Sequence, residues 1–245
     1  MTLAVFLDLY RVLADPDWME EQYRRRMAAI LQRRYGVPFE KGLQIHDESY
    51  DLYKQEGERL DADQTSIGHG EKWVKAVQNF EANNIKRIFA MAGLPPPDDP
   101  IRFASQLEEE IVLGADAIYA DVRPALQEMK AGGHRIFMST NATRSNAESA
   151  LIGGGIREMF DDIIVMEVAE SKKDRPHYWN RTFEVTGVRP AEAVVVDDVV
   201  SYLDLAGEMG MRGVQLIRPE YESLLRGRWP VIESLAELPS LLQKL

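Results

Sequence analysis

The chain of 245 residues contains no cysteine. That absence excludes disulfides, thiolate metal sites and cysteine nucleophiles. Long apolar runs are also missing, since the opening stretch Leu3-Ala4-Val5-Phe6-Leu7 is broken at once by Asp8. So short a run is insufficient for the core of a signal peptide and far too short to span a bilayer. A cytoplasmic protein without membrane contact is expected. Positive charge is in deficit, with 29 Lys and Arg against 40 Asp and Glu and a net charge of −11. This balance opposes non-specific binding of nucleic acid or of an anionic membrane surface. An anionic substrate would still need local positive charge, so individual Lys and Arg residues are informative. The four histidines show no metal-ligand spacing.

What is present is a core. Hydrophobic residues make up 45% of the chain, enough for one large domain or two small ones. The run Leu3–Leu7 is continuous rather than alternating, as in a strand buried on both faces of a parallel sheet. Helical periodicity then predominates for about a hundred residues. Helices are predicted from about Asp17 to Tyr35, Ile45 to Leu60, Glu71 to Met91 and Pro100 to Leu113, with breaks at Gly36, Pro38 and Pro95-Pro96-Pro97.

Beyond Asp121 strands and helices alternate. Strands are predicted at His134 to Met138, Ile163 to Met166, Ala193 to Val196 and Val214 to Ile217. Helices lie between them, with Pro176 opening one of these and another ending near Gly210. Alternation of this kind implies right-handed βαβ units and a parallel sheet. The expected fold is α/β, a three-layer Rossmann-like parallel sheet. Residues 1–14 and 115–245 would form the core, and 15–114 a helical cap inserted between the first and second strands. A cap there would cover the carboxyl ends of the strands, where open α/β sheets bind ligands.

The polar residues that follow the strands carry the chemistry. Asp8 follows Leu7, Ser139-Thr140-Asn141 follows Met138, and Asp197-Asp198 follows Val196, with Lys172-Lys173 shortly after the Ile163 strand. Strand ends in a parallel sheet point the same way, so these groups converge. An aspartate after a strand often does no more than cap a helix or form a turn. Four such clusters in order at strand ends argue for a site. Three carboxylates brought together repel, and at neutral pH they require a proton or a bound cation.

This ordered set resembles the haloacid dehalogenase superfamily over nearly the whole chain. Asp8-Leu9-Tyr10-Arg11-Val12 matches the first motif of that family, Thr140 the second, Lys172-Lys173-Asp174-Arg175-Pro176 the third and Asp197-Asp198 the fourth. The resemblance implies a hydrolase with Asp8 as covalent nucleophile, forming an aspartyl ester that divides one displacement into two steps. It implies Thr140 and Asn141 on a substrate oxygen, and a lysine holding nucleophile and anionic substrate together. Lys173 fits the family spacing to Pro176 and Gly187 better than Lys172. It further implies Mg²⁺, held by Asp8, the carbonyl of Tyr10 and Asp198, with Asp197 acting through water. The substrate would be a small anion, and the chain a monomer or homodimer.

Tyr10 departs from the pattern. Most family phosphatases place a second aspartate there as general acid, and a phenol with an ordinary pKa near ~10 replaces it poorly at neutral pH. Dehalogenases of the family also carry Tyr at this position, since halide leaves without a proton. Their motif continues Tyr-Gly-Thr where this chain has Tyr10-Arg11-Val12, and they lack adjacent acids like Asp197-Asp198. Relatives usually place Asn or Asp at the position of Tyr202. Three readings therefore stand: an Mg²⁺-dependent hydrolase of small phosphate esters, a metal-independent 2-haloacid dehalogenase, and a binding or regulatory protein with weakened catalysis. Arg24-Arg25-Arg26 and Arg33-Arg34 are read as solvated helix faces, and Trp18, Tyr23, Tyr50, Tyr53 and Trp73 as packing residues of the helical segment.

Overall fold

The computed structural model describes residues 2–221 and 224–245. The chain divides into two compact units, Met1–Pro16 with Asp116–Leu245, and Asp17–Ala115.

The first unit is built on a parallel sheet of six strands: β1 (Ala4–Leu7), β2 (Arg135–Ser139), β3 (Asp162–Ile164), β4 (Ala193–Asp197), β5 (Arg212–Leu216) and β6 (Val231–Ile232). Its order is β3-β2-β1-β4-β5-β6, a Rossmann-like arrangement. The chain builds outward from β1 to β3 on one side, then returns beside β1 with β4. The switch point thus falls between β1 and β4, which pair in register with Leu7 beside Val196. Ligands of open α/β sheets bind outside the strand ends at such a point. Asp8 and Asp197 flank it.

The continuous apolar character of β1 has the expected cause: Val5, Phe6 and Leu7 are completely buried. Alternate residues face opposite sides of the sheet. On one side Ala4 and Phe6 join Phe137, Val195, Tyr178, Trp179, Leu203 and Ala206 in a single cluster. Phe6 stacks on Phe137 at 4.9 Å between ring centres and meets the edge of Trp179 at 6.0 Å.

The helical unit contributes α1 (Pro16–Tyr35, whose first residue belongs to the sheet unit), α2 (Phe39–Ile67), α3 (Glu71–Met91) and α4 (Pro100–Val112). The remaining helices belong to the sheet unit: α5 (Val122–Ala131), α6 (Arg144–Gly153), α7 (Met166–Ala169), α8 (Pro176–Thr186), α9 (Val200–Glu208) and α10 (Leu238–Leu242). Apolar residues at helical spacing, including Met27, Ile30, Leu31, Ile85, Ile88, Phe89, Leu107 and Ile111, form the core of the helical unit.

Several boundaries differ from the sequence reading. Helix α2 begins at Phe39 and runs to Ile67. The polar stretch after Leu60 has no hydrophobic period, yet nothing stops the helix before Gly68, which takes φ +86°. Met166 opens a short helix rather than closing β3. The sheet does not end with the strand after Gly210, because β6 pairs with β5 through Gln215–Val231 and Leu216–Ile232. Two residues are too few to show any period.

Four of the five arginines in the basic clusters are bound to acids of their own unit, and Arg26 donates to the Gly114 carbonyl at 3.1 Å. Arg24 grips both oxygens of Asp47 at 2.6 and 2.8 Å, Arg33 reaches Glu110 at 2.6 Å, and Arg34 and Arg25 bond Glu110 and Glu21. Trp73 is buried, whereas Trp18 is 50% exposed. Among the described residues no helix is long and apolar enough to cross a membrane.

Candidate active site

Asp8 stands one residue past β1, anchored by its N–H donating to the carbonyl of Val196 on β4 at 3.1 Å. Its carboxylate meets Lys173, whose Nζ donates to Asp8 Oδ1 at 2.6 Å, to Asp197 Oδ2 at 2.6 Å and to the Ser139 carbonyl at 3.2 Å. All three donor directions of this ammonium are used. Lys173 is fixed from both ends of its residue: its N–H donates to Asn141 Oδ1 at 2.9 Å, and its carbonyl accepts from Trp179 Nε1 at 3.2 Å. Lys172 is half-buried on the same turn. Lys173 reaches both Asp8 and Asp197.

Asp197 and Asp198 complete an acid trio. One carboxylate oxygen from each of Asp8, Asp197 and Asp198 lies within 4.8 Å of the others. Asp197 Oδ1 also accepts from the N–H of Val199 at 2.9 Å, closing the turn into α9. The backbone of Asp198 is held by Gln215, whose Nε2 donates to its carbonyl at 3.1 Å. The Asp198 side chain, only 4% exposed, accepts from Arg11 NH1 at 2.9 Å.

Burial dominates the electrostatics. It pushes the Asp197 carboxyl up to about 7; Asp8 and Asp198 add to the rise, and Lys173 opposes it without prevailing. Asp8 is likewise raised by burial, with Lys173 opposing and Asp198 adding. Burial would pull the Lys173 ammonium down, but the charges of Asp197 and Asp8 outweigh it and hold the lysine protonated well above the ordinary range. Three acids thus face two cations, Lys173 and Arg11, and a deficit of positive charge remains.

The other residues singled out by sequence occupy supporting positions. Thr140 Oγ1 accepts from the N–H of Ala142 at 3.2 Å, a turn contact, and the Thr140 N–H donates to Ile164 at 3.0 Å. Asn141 braces the lysine and donates through Nδ2 to the Tyr202 hydroxyl at 3.2 Å. The hydroxyl of Tyr10 donates to Asn146 Oδ1, on α6, at 2.7 Å.

Sequence reasoning missed two contributors, Arg11 as a partner of Asp198 and Asn146 as the acceptor for Tyr10; Tyr202, marked in the sequence as a departure from the family pattern, places its ring centre 5.1 Å from Lys173 Nζ. A basic residue so near an acidic motif was the available signal for Arg11. Nothing in the sequence marks Asn146.

The family model for haloacid dehalogenase-like hydrolases matches residues 4–205. The chain belongs to that family. It is a hydrolase. Over 124 residues it is 32% identical to the enolase-phosphatase E1 of Frankia alni, covering 49% of this chain and 52% of that one. It is 27% identical over 89 residues to the pyrophosphatase PpaX of Bacillus cereus, covering 36% and 40%. The chain thus spans about half the length, or less, of these curated relatives.

Among solved structures, the L-2-haloacid dehalogenase of Xanthobacter autotrophicus with chloropropionic acid covalently bound aligns over the full length of both chains, with TM-score 0.64 and 16% identity. A phosphatase of the family from Thermococcus onnurineus aligns with TM-score 0.61 and 21% identity, over 99% of this chain and 98% of that one. At these identities the likeness speaks for the fold.

Proposed function

We propose that this hydrolase uses Asp8 as a covalent nucleophile on a small phosphate ester or related anion, with Mg²⁺ as cofactor. The observation that carries the reading is Lys173, whose ammonium joins Asp8 and Asp197 at 2.6 Å each. This buried positive charge orients the nucleophile and attracts an anionic substrate to it. An Asp8 oxygen attacks phosphorus, the ester oxygen departs with its electron pair, and water then hydrolyses the aspartyl phosphate. Thr140 and Asn141, at the end of β2, are assigned to the transferring group.

The donor chemistry of Asp8, Asp197 and Asp198 fits a hard divalent cation, for which carboxylate oxygen is the preferred ligand. Asp8 and Asp198, with the Tyr10 carbonyl, would hold Mg²⁺, and Asp197 would act through water. The ion would offset the remaining negative charge and polarise the phosphoryl oxygen when bound. We propose the cap role for the helical unit on its point of insertion, directly after the strand that carries Asp8.

A second reading, 2-haloacid dehalogenase, is favoured by one observation. Tyr10 occupies the position of the phosphatase general acid, and its hydroxyl is directed to Asn146. Halide departs without a proton and tolerates this arrangement. A panel of aryl phosphates, alkyl phosphates and 2-chloropropionate, assayed with and without Mg²⁺, separates the readings. Metal-dependent phosphate release that disappears in Asp8→Asn supports the first. Chelator-insensitive halide release supports the second. Failure to trap a fluoroberyllate or labelled adduct at Asp8, with no turnover of either class, would refute both.

A further inference from the structure

We propose that Arg11 is a built-in counter-cation of the acid trio: its guanidinium competes with the divalent metal for Asp198 and must leave before the metal binds. The inference rests on the reading of Asp8, Asp197 and Asp198 as the metal site.

Geometry carries it. Arg11 NH1 lies 2.9 Å from Asp198 Oδ2, a charge-assisted contact on one of the carboxylates a cation would need. Charge makes the two cations exclusive. Three carboxylates with Lys173 and Mg²⁺ sum to zero, whereas retaining Arg11 leaves an excess positive charge at the trio. Relaxation is available on one side only. The Asp198 side chain is 4% exposed on a backbone held by Gln215, but that of Arg11 is 40% exposed and has a path to water.

The backbone points the same way. Arg11 takes φ +62°, the left-handed region that favours glycine. That conformation is tied down from both sides, because its N–H donates to the Ala14 carbonyl at 2.8 Å and its own carbonyl accepts from Arg218 Nε at 3.4 Å. The chain thus carries a long cationic side chain where glycine would sit without strain, and that side chain is directed at the acid trio. The Tyr221 ring, its centre 5.2 Å from the guanidinium carbon, flanks it.

Metal binding to the full chain tests this independently of turnover. Mn²⁺ is titrated by electron paramagnetic resonance of the free ion, and Mg²⁺ by calorimetry, for wild type, Arg11→Gly, Arg11→Gln and Asp198→Asn. Removing the competing contact is expected to tighten binding about tenfold or more in both Arg11 variants. Glutamine keeps a Cβ, and with it the backbone strain, while removing the charge, so tightening in Arg11→Gly alone would overturn the proposal in favour of relieved strain. Unchanged or weaker binding in both would also overturn it. If wild type binds Mn²⁺ and Asp198→Asn does not, the metal site stands even where the role of Arg11 falls. If no variant binds either ion, the metal site falls too, while Asp8 adduct formation separately decides the nucleophile.

Discussion

The hydroxyl of Tyr10 donates to Asn146 Oδ1 at 2.7 Å, across 136 residues of sequence. The phenol is thereby braced against α6 at the position where the family resemblance implies a proton donor. On the phosphatase reading, alkyl phosphates should turn over slowly, because the departing alkoxide finds no acid matched to neutral pH, while the aryloxide or carboxylate of an aryl or acyl phosphate leaves unaided. Tyr10→Asp is expected to raise kcat on an alkyl phosphate by up to about 10²-fold, the lower range for a general acid, and to change aryl phosphate hydrolysis much less. Steady-state kinetics on matched substrates checks this. An equal change on both classes would show that proton donation is not what Tyr10 lacks.

Lys173 is 1% exposed and is the cation shared by Asp8 and Asp197. Lys173→Ala leaves two buried carboxylates without it, an arrangement that typically costs about 3–5 kcal/mol when a buried pair loses one partner. The carboxylates will respond by taking up a proton, since burial already raises both. Activity is expected to fall by about 10³-fold or more, as Asp8 loses its ionised, oriented form. Urea denaturation and carboxyl ¹³C titration of the variant provide the readout. A stable variant with an unshifted Asp8 would contradict the electrostatic account of the site.

The parts of this arrangement that sequence makes legible share one property: their physics is local. Leu3–Leu7 and Ala193–Val196 are apolar without alternation because both faces of a central strand are covered, and the acid ending each run marks the carboxyl end of the strand. The family pattern favours Lys173 over Lys172, and the Lys173 ammonium lies 2.6 Å from Asp8 Oδ1. Other features depend on distant chain. Arg11 pairs with Asp198 across 187 residues through a left-handed backbone turn that no propensity announces. Strand β6 has two residues and exists only because β5 offers an edge. Helix α2 continues through a polar stretch because nothing terminates it before Gly68.

Asp121 should govern part of the acid stability of the sheet unit. Burial alone would raise its pKa, but Arg218, Ser234 and the Leu235 N–H, at 2.6 to 2.7 Å from Oδ2, outweigh this and hold it below the ordinary 3.8. A group depressed in the folded state contributes stability that is complete above the unfolded pKa and is lost as pH falls through the folded one. Asp121→Asn also leaves Arg218, 5% exposed, without its charged partner. A loss of about 2 kcal/mol at pH 7 is expected, less than for a wholly buried pair because the Asp121 side chain keeps 19% exposure. Denaturant melts at pH 7 and below the ordinary carboxylate range should show the gap between wild type and variant closing on acidification. A gap independent of pH would mean that the carboxylate charge contributes nothing.

Two glycines of helix α2 should respond in opposite directions to the same substitution. Glycine inside a helix is worse than alanine by about 0.5–1 kcal/mol, so Gly→Ala stabilises wherever there is room. At Gly57 the added Cβ would meet only Phe80 Cζ at 3.6 Å, an ordinary contact. At Gly42 it would stand 2.8 Å from the Cα and 2.9 Å from the Cβ of Ala28 on α1. Those atoms belong to a helix backbone and cannot rotate aside, so α1 and α2 must separate, and overpacking of this kind costs about 1–3 kcal/mol. The clash exceeds the propensity gain. Gly42→Ala is therefore expected to lower stability by about 1–2 kcal/mol while Gly57→Ala raises it by about half a kcal/mol. Chemical denaturation of the two variants beside wild type decides the matter, and stabilisation by Gly42→Ala would show that these helices do not depend on so close an approach.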